Sequence, residues 1–476
     1  MRAEQISKYK YKQYNCFILL IALLLFSCSR HTNISESKSV STKYTSDSLA
    51  SENGKDTLTP AIKGISEDND DYYKKEHFRF EDHIYYDNIK TPMLHKDGWQ
   101  LSFPIIELNS NEKLKFSFDD MDADIKYYYY TVIHCDADWA PSDILPSEYI
   151  EGFIENEITD YKYSFNTIQR YTHYNLIIPN EDIRLTRSGN YILKVFLDND
   201  IDNVALSMRF MIVDTKVTIE ATIKRATLID DRNYKQEIDF TIYHPGYDIS
   251  NPYGDIKVVI TQNGRWDNAV KNLKPLFVRN NELVYDYDED NVFAGGNEFR
   301  YFDIKNFRFK SERVREIIYD SLAHHVYLVR DGRRSFKRYS FHADINGRYF
   351  IKTDEGTDSE IEADYAYIHF RLPYDAPMID GNLYVFGALS QWNFLKETQL
   401  KYNYEKFVYE TTVYLKQGYY NYEYVFLKDG ETAADNTLIE GSHFETGNGY
   451  TIYVYHRSFG GQYDQLIVVK NFITSS

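Results

Sequence analysis

The chain has 476 residues and a formal net charge of −18, so it is long enough for several domains and too acidic to offer the basic face that nucleic-acid binding needs. Hydrophobic residues make up 43%, among them 45 Tyr and 29 Phe; such a composition supplies real cores and favours strands, on whose half-buried surfaces aromatic rings pack well. Three cysteines, Cys16, Cys28 and Cys135, leave no intrachain disulfide to a folded body that keeps only Cys135, and too few thiols for a cysteine-based zinc site.

The chain opens on an address. Arg2, Lys8, Lys10 and Lys12 precede an uncharged apolar run over 17–26, about half the length needed to span a bilayer. The run ends in the sequence LFSC at 25–28. This resembles the lipobox of bacterial lipoproteins, so residues 1–27 are expected to be a lipoprotein signal peptide. Cys28 is then the acylated first residue of the mature chain, tying it to a membrane. Residues 28–75 are rich in Ser, Thr, Asp, Glu, Asn and Lys and poor in large apolar groups. They are expected to form a disordered tether. No acidic run directly follows Cys28; such a run resembles a surface-export signal, and its absence favours the periplasmic face of the outer membrane.

Beyond residue 75 the pattern shifts to short alternating segments between polar turns. LKFSF at 114–118 and ILKVF at 192–196 alternate with period two, and LSMRFMIV at 206–213 follows. Repeated short strands of this kind predict an all-β fold of tandem immunoglobulin-like β-sandwich domains. The expected boundaries are 76–214 for the first sandwich and 215–372 for the second, which opens on VTIEAT at 217–222. The third is expected at 373–476, after a proline-flanked linker, LPYDAP, at 372–377. The one short-helix candidate runs from 311 to 320.

No local motif of chemistry-bearing residues reads as a reaction centre, which leaves only a carboxylate pair assembled by folding as an enzymatic alternative. Asp120, Asp122 and Asp124 open like a calcium-binding loop, but Ile125 stands where that loop needs Gly and Thr131 where it needs a bidentate Glu. Asp286, Asp288, Glu289 and Asp290 read as a second acidic turn. His134 and Cys135 are adjacent, and neighbours on a strand point to opposite faces, so the imidazole does not readily activate the thiol. His324 and His325 diverge in the same way, and His443 reads as a surface residue. The nucleophile-elbow, zincin, phosphate-loop and dinucleotide motifs are missing from the sequence. The expectation is a non-enzymatic protein with no catalytic residue, no metal site and no cofactor.

One resemblance is long. It is carried by YYTVIHCDADWAPSD at 129–143, PSEYIEGF at 146–153, ITDYKYSFNT at 158–167, YTHY at 171–174, SGNYILK at 188–194 and GGNEFRYFD at 295–303. Together these resemble the type IX secretion system plug protein family of Bacteroidetes. The resemblance implies a stack of β-sandwiches at the outer membrane, facing the periplasm, whose partner is the outer-membrane translocon barrel and whose role is to seal the pore of that barrel. Aromatic residues on the turns near Pro141 and Pro146 and beyond are then the candidate contacts: Trp139, Tyr149, Phe153, Tyr161, Tyr163 and Tyr171.

A second resemblance concerns the last third of the chain. GALSQW at 387–392 and GYYNYEYVF at 418–426, followed by Asp429 and Gly430, are similar to turns of glycogen-binding sandwich modules, although Leu389 and Ser390 depart from the pattern. It implies an alternative, a carbohydrate-binding envelope lipoprotein with Trp392, Tyr420 and Tyr422 as stacking platforms. Core packing is the competing explanation for the same rings.

Overall fold

A computed structural model describes residues 78–474. The signal peptide, the acylation site at Cys28 and the tether lie outside the described residues. What is described is built from paired, mostly antiparallel sheets, and no described helix is long and apolar enough to cross a membrane.

The first sandwich faces two sheets. One runs in the order His83–Ile84, Val204–Val213, Gly189–Leu197, Tyr128–Cys135, Asn156–Glu157, with Ile105–Glu107 added parallel to Val204–Val213. The other runs Ile89–Lys96, Leu114–Asp120, Thr172–Ile178, Asp160–Tyr163. The alternating segments read from the sequence are its central strands. Their inner faces meet on stacked rings: Phe118 lies parallel to Tyr174 at 5.1 Å and edge-on to Tyr128 at 4.9 Å. Gly189–Leu197 is buried on both faces for almost its whole length, because a second sandwich covers the side away from this core. That is why both its odd and its even positions are apolar or paired.

The second sandwich recruits the end of the chain. One sheet runs Thr218–Arg225, Lys235–Tyr243, Glu282–Tyr285, Phe277–Arg279. Its partner runs Val270–Lys271, Ile256–Gln262, Gly449–His456, Gln465–Ile473. Ile260 pairs with Ile452, and Tyr450, Val454 and Val468 fill the same core as Ile238, Phe240 and Leu283. The last strands of the chain therefore close the middle sandwich, not a separate one running from 373 to 476.

The third sandwich lies between those two halves of the second in sequence. Arg300–Asp303 and Tyr349–Ile351 flank one half of Gly418–Lys428, and Gly381–Phe386 pairs with the other half. The facing sheet runs Val314–Tyr319, His324–Leu328, Tyr365–Pro373, Val408–Lys416, Lys401–Asn403. Two expectations are corrected here. The 311–320 helix candidate contains the strand Val314–Tyr319, held by pairing with His324–Leu328. The 372–377 linker begins inside a strand, with Pro373 opposite Val408; proline is tolerated there because it stands at the strand end, where a missing N–H breaks no ladder.

Candidate functional site: an exposed aromatic edge on the first sandwich

The structure divides the six aromatic candidates into two groups of three. Trp139 is only 4% exposed. Its ring stands edge-on to Trp266 at 5.2 Å and under the Arg209 guanidinium at 4.6 Å, in the apolar seam between the first and second sandwiches. Tyr149 is buried in the first core, its hydroxyl donating to the Val132 carbonyl at 3.3 Å. Tyr171 is fully buried, and its hydroxyl donates to the Ala363 carbonyl at 2.8 Å in the third sandwich. A partner cannot reach these three without unfolding the seams they fill, so they are corrected from contacts to core. The turns around Pro141 and Pro146 are themselves exposed, as the sequence suggests, but the Trp139 and Tyr149 rings beside them turn inward.

Phe153, Tyr161 and Tyr163 are exposed. Asp160–Tyr163 is the last strand of its sheet and is exposed along its whole length. Tyr161 leans on the buried Tyr174 at 5.7 Å and meets Tyr163 edge-on at 6.4 Å, so the rings are ordered by the core yet open to solvent. Phe153 follows Gly152, whose φ of +114° and close approach to the Asp182 carbonyl leave no room for a Cβ. The Phe153 N–H donates to that same carbonyl at 2.9 Å. The backbone is thus pinned while the ring projects, with Leu145 and Ile154 also exposed nearby in sequence. Isolated exposed apolar groups are ordinary; here two rings share one free sheet edge, and a third projects from a turn earlier in the chain.

The glycan platform is not formed. Tyr420 and Tyr422 are each 1% exposed, their hydroxyls donating to the Lys416 carbonyl and to Asp331 Oδ2. Trp392 is half-buried, edge-on to Phe386 at 5.5 Å and to Phe299 at 6.1 Å, with its six-membered ring occupying the space that a Cβ on Gly347 would need. These rings pack sandwiches together.

The reactive-looking residues have structural partners. Burial pushes the Cys135 thiol up to about 12 and the His134 imidazole down to about 4; His134 is fixed between Ser142 Oγ at 2.8 Å and the Ser188 carbonyl at 3.1 Å. Ammonium groups from the chain itself meet Asp120 and Asp122 of the first acidic turn and Asp286 of the second. Lys126 Nζ sits 2.9 Å from Asp120 and also bonds Asp122. Lys224 Nζ sits among Glu237, Asp239 and Asp286 at 3.0, 2.5 and 3.6 Å. His325 Nδ1 meets His369 Nε2 at 3.0 Å and its other nitrogen meets Asp320, a pairing across strands invisible in the sequence.

Residues 89–214, spanning this edge and the sandwich that carries it, match the family model described as the type 9 secretion system plug protein 1st domain. The chain belongs to the type IX secretion system plug family. Membership ties this plug-family chain to type IX secretion and to the cell envelope, in a family not known for enzymes. Among solved structures, it is similar to a hypothetical protein from Parabacteroides merdae ATCC 43184, with 34% identity and a TM-score of 0.81 over 84% of this chain and all of that one. No curated protein matches it.

Proposed function

We propose that the protein is a non-enzymatic plug or gate subunit. It binds the outer-membrane translocon barrel of type IX secretion from the periplasmic side and covers its pore, while an acyl group on Cys28 keeps it at the membrane. The observation that carries this reading is the coincidence of the plug-family domain at 89–214 with the exposed aromatic edge of Tyr161 and Tyr163 and the exposed Phe153 ring of the same domain. Rings anchored on a rigid sheet bury large apolar area at little entropic cost. A gate must also leave, which a contact of modest area with a polar rim allows; Asp160 and Lys162 supply that rim on the same strand.

The test is co-purification of the barrel from detergent-solubilised outer membranes. The triple variant Phe153→Ala, Tyr161→Ala, Tyr163→Ala is expected to lose the barrel while keeping its unfolding midpoint. Retention of the barrel by that variant would remove this edge from the interface. Failure of the wild-type chain to bring down any barrel would remove the plug reading itself. Cys28→Ser is expected to move the protein from the membrane to the soluble fraction.

A further inference from the structure

A second surface has chemistry unlike the rest of this acidic chain. Between His324–Leu328 and Tyr349–Ile351 the backbone forms no strand, and residues 330–341 read RDGRRSFKRYSF. They carry five Lys or Arg against one Asp, in a protein whose net charge is −18. The Asp, Asp331, is buried and held by Arg300 and Arg313 at 2.9 and 2.7 Å. One of the five cations, Arg334, is also used internally, on Glu440 at 2.7 Å and the Glu298 carbonyl at 2.8 Å. The other four, Arg330, Arg333, Lys337 and Arg338, form no ion pair among the described residues. Phe336, 84% exposed, projects among them, and Phe341, 63% exposed, just beyond them.

The segment is nonetheless fixed. The Arg334 and Ser335 N–H groups both donate to the Ile439 carbonyl, at 2.8 and 3.1 Å. The Tyr339 hydroxyl bonds Glu298, and His342 Nε2 lies 2.9 Å from the Phe299 carbonyl. Anchored residues thus alternate with projecting ones. Arg333 stacks on both Phe336 and Tyr374 at 4.8 Å, and the Tyr374 N–H donates to the carbonyl of Phe407, another exposed ring. The aromatic and cationic surface therefore continues along one end of the third sandwich.

We propose that this loop docks the third sandwich onto an anionic lipid surface, with the guanidinium and ammonium groups on headgroup phosphates and Phe336 and Phe341 in the interfacial layer. The chemistry favours a bilayer over an acidic protein segment. Rings at the tips with long cationic stems beside them match the depth order of the interface, apolar below and phosphate above. Because the loop is held in place, little ordering entropy opposes the contact.

The experiment is flotation of the full-length Cys28→Ser chain, so that an acyl group contributes nothing, with vesicles of phosphatidylcholine alone or mixed with phosphatidylglycerol. Binding is expected only to the anionic vesicles and is expected to fall as salt is raised. Lys337→Glu with Arg338→Glu is expected to weaken it by about tenfold or more, on the usual contribution of each basic residue near an anionic leaflet. Neither residue is ion-paired, so the variant is expected to keep its unfolding midpoint. Should that midpoint drop, Phe336→Ser reads the same contact without changing charge. Equal flotation of wild type and both variants, equal binding to neutral vesicles, or binding to polyglutamate without binding to vesicles would each overturn the proposal.

Discussion

The first sandwich meets the second and the third through seams of contrasting chemistry. Against the second it presents Ile105, Cys135, Trp139 and Met211, which pack on Val259, Tyr453 and Leu466 with Arg209 lying over both tryptophans. Against the third it presents Asp119. That carboxylate is 1% exposed and accepts from Lys416 Nζ at 2.6 Å, Tyr365 OH at 2.5 Å and His173 Nδ1 at 2.6 Å. Lys416 in turn donates to the Glu360 carbonyl at 2.7 Å and lies 4.2 Å from the Tyr171 ring centre. An apolar seam gains from area and loses gradually with each atom removed. A buried charged seam gains little net energy, but it accepts one register and fails sharply when one partner goes. The two seams together join the first sandwich to both of the others.

The largest effect is expected at the charged seam. Lys416→Ala strands Asp119 without its counter-charge and is expected to cost about 3–5 kcal/mol in urea unfolding. Replacing both groups, with Asp119→Leu and Lys416→Met, is expected to recover most of that loss. If the single and double variants fall equally, the seam is held by packing and the contrast disappears.

Next comes the apolar seam. Trp139→Ala is expected to cost about 3 kcal/mol, because it empties a space between Trp266 and Arg209 that neither can refill. Since Trp139 is buried, that variant loosens the seam instead of probing a partner. A loss near zero would mean that the second sandwich is held elsewhere, for example by Asp464, which accepts from the Ala137 N–H at 2.9 Å, and by Arg457, which pairs with Asp136 at 2.6 Å.

The two seams are also expected to respond to pH in opposite directions. Burial alone would raise the Asp119 carboxyl, but Lys416 and His173 hold it below its ordinary 3.8. Its contribution is therefore whole above 3.8 and is lost as pH falls through the lower folded value. Beside the apolar seam, burial outweighs Arg209 and lifts Asp82 to about 6. Its contribution is whole below 3.8 and is lost as pH rises through about 6. Hydrogen exchange followed across this range is expected to show the Leu114–Asp120 strand loosening toward acid, and the segment around Asp82 tightening between about 6 and 3.8. Parallel trends in both would contradict the assignment of these carboxylates.

What could be read from the sequence followed from local periodicity. Leu114–Asp120 and Val204–Val213 announce themselves as strands because side chains alternate across a pleat. The return of Gly449–His456 to Ile256–Gln262 does not, because it is a pairing across the whole third sandwich and no local pattern encodes the partner of a strand. The same gap explains the divided aromatic candidates. Tyr149 and Phe153 lie four residues apart, at the two ends of the short strand Ile150–Gly152, yet one ring enters the core and the other leaves it. Asp119 and Lys416 were silent for the same reason: neither sits in a motif, and only folding brings them within 2.6 Å.

The smallest stability effect is the one that matters most for the proposed function. Tyr163→Ala removes a ring that is 53% exposed on the free edge of the first sandwich, so it is expected to shift stability by no more than about 0.5 kcal/mol. Tyr161→Ala also withdraws a ring from Tyr174 and is expected to cost slightly more. If the edge is a contact, the order reverses in a pull-down: the change that barely touches stability lowers barrel recovery, whereas a seam variant such as Trp139→Ala lowers recovery only as far as it unfolds the chain. Recovery that tracks stability across all of these variants would mean that the plug is recognised by its overall shape and that the aromatic edge is not an anchor.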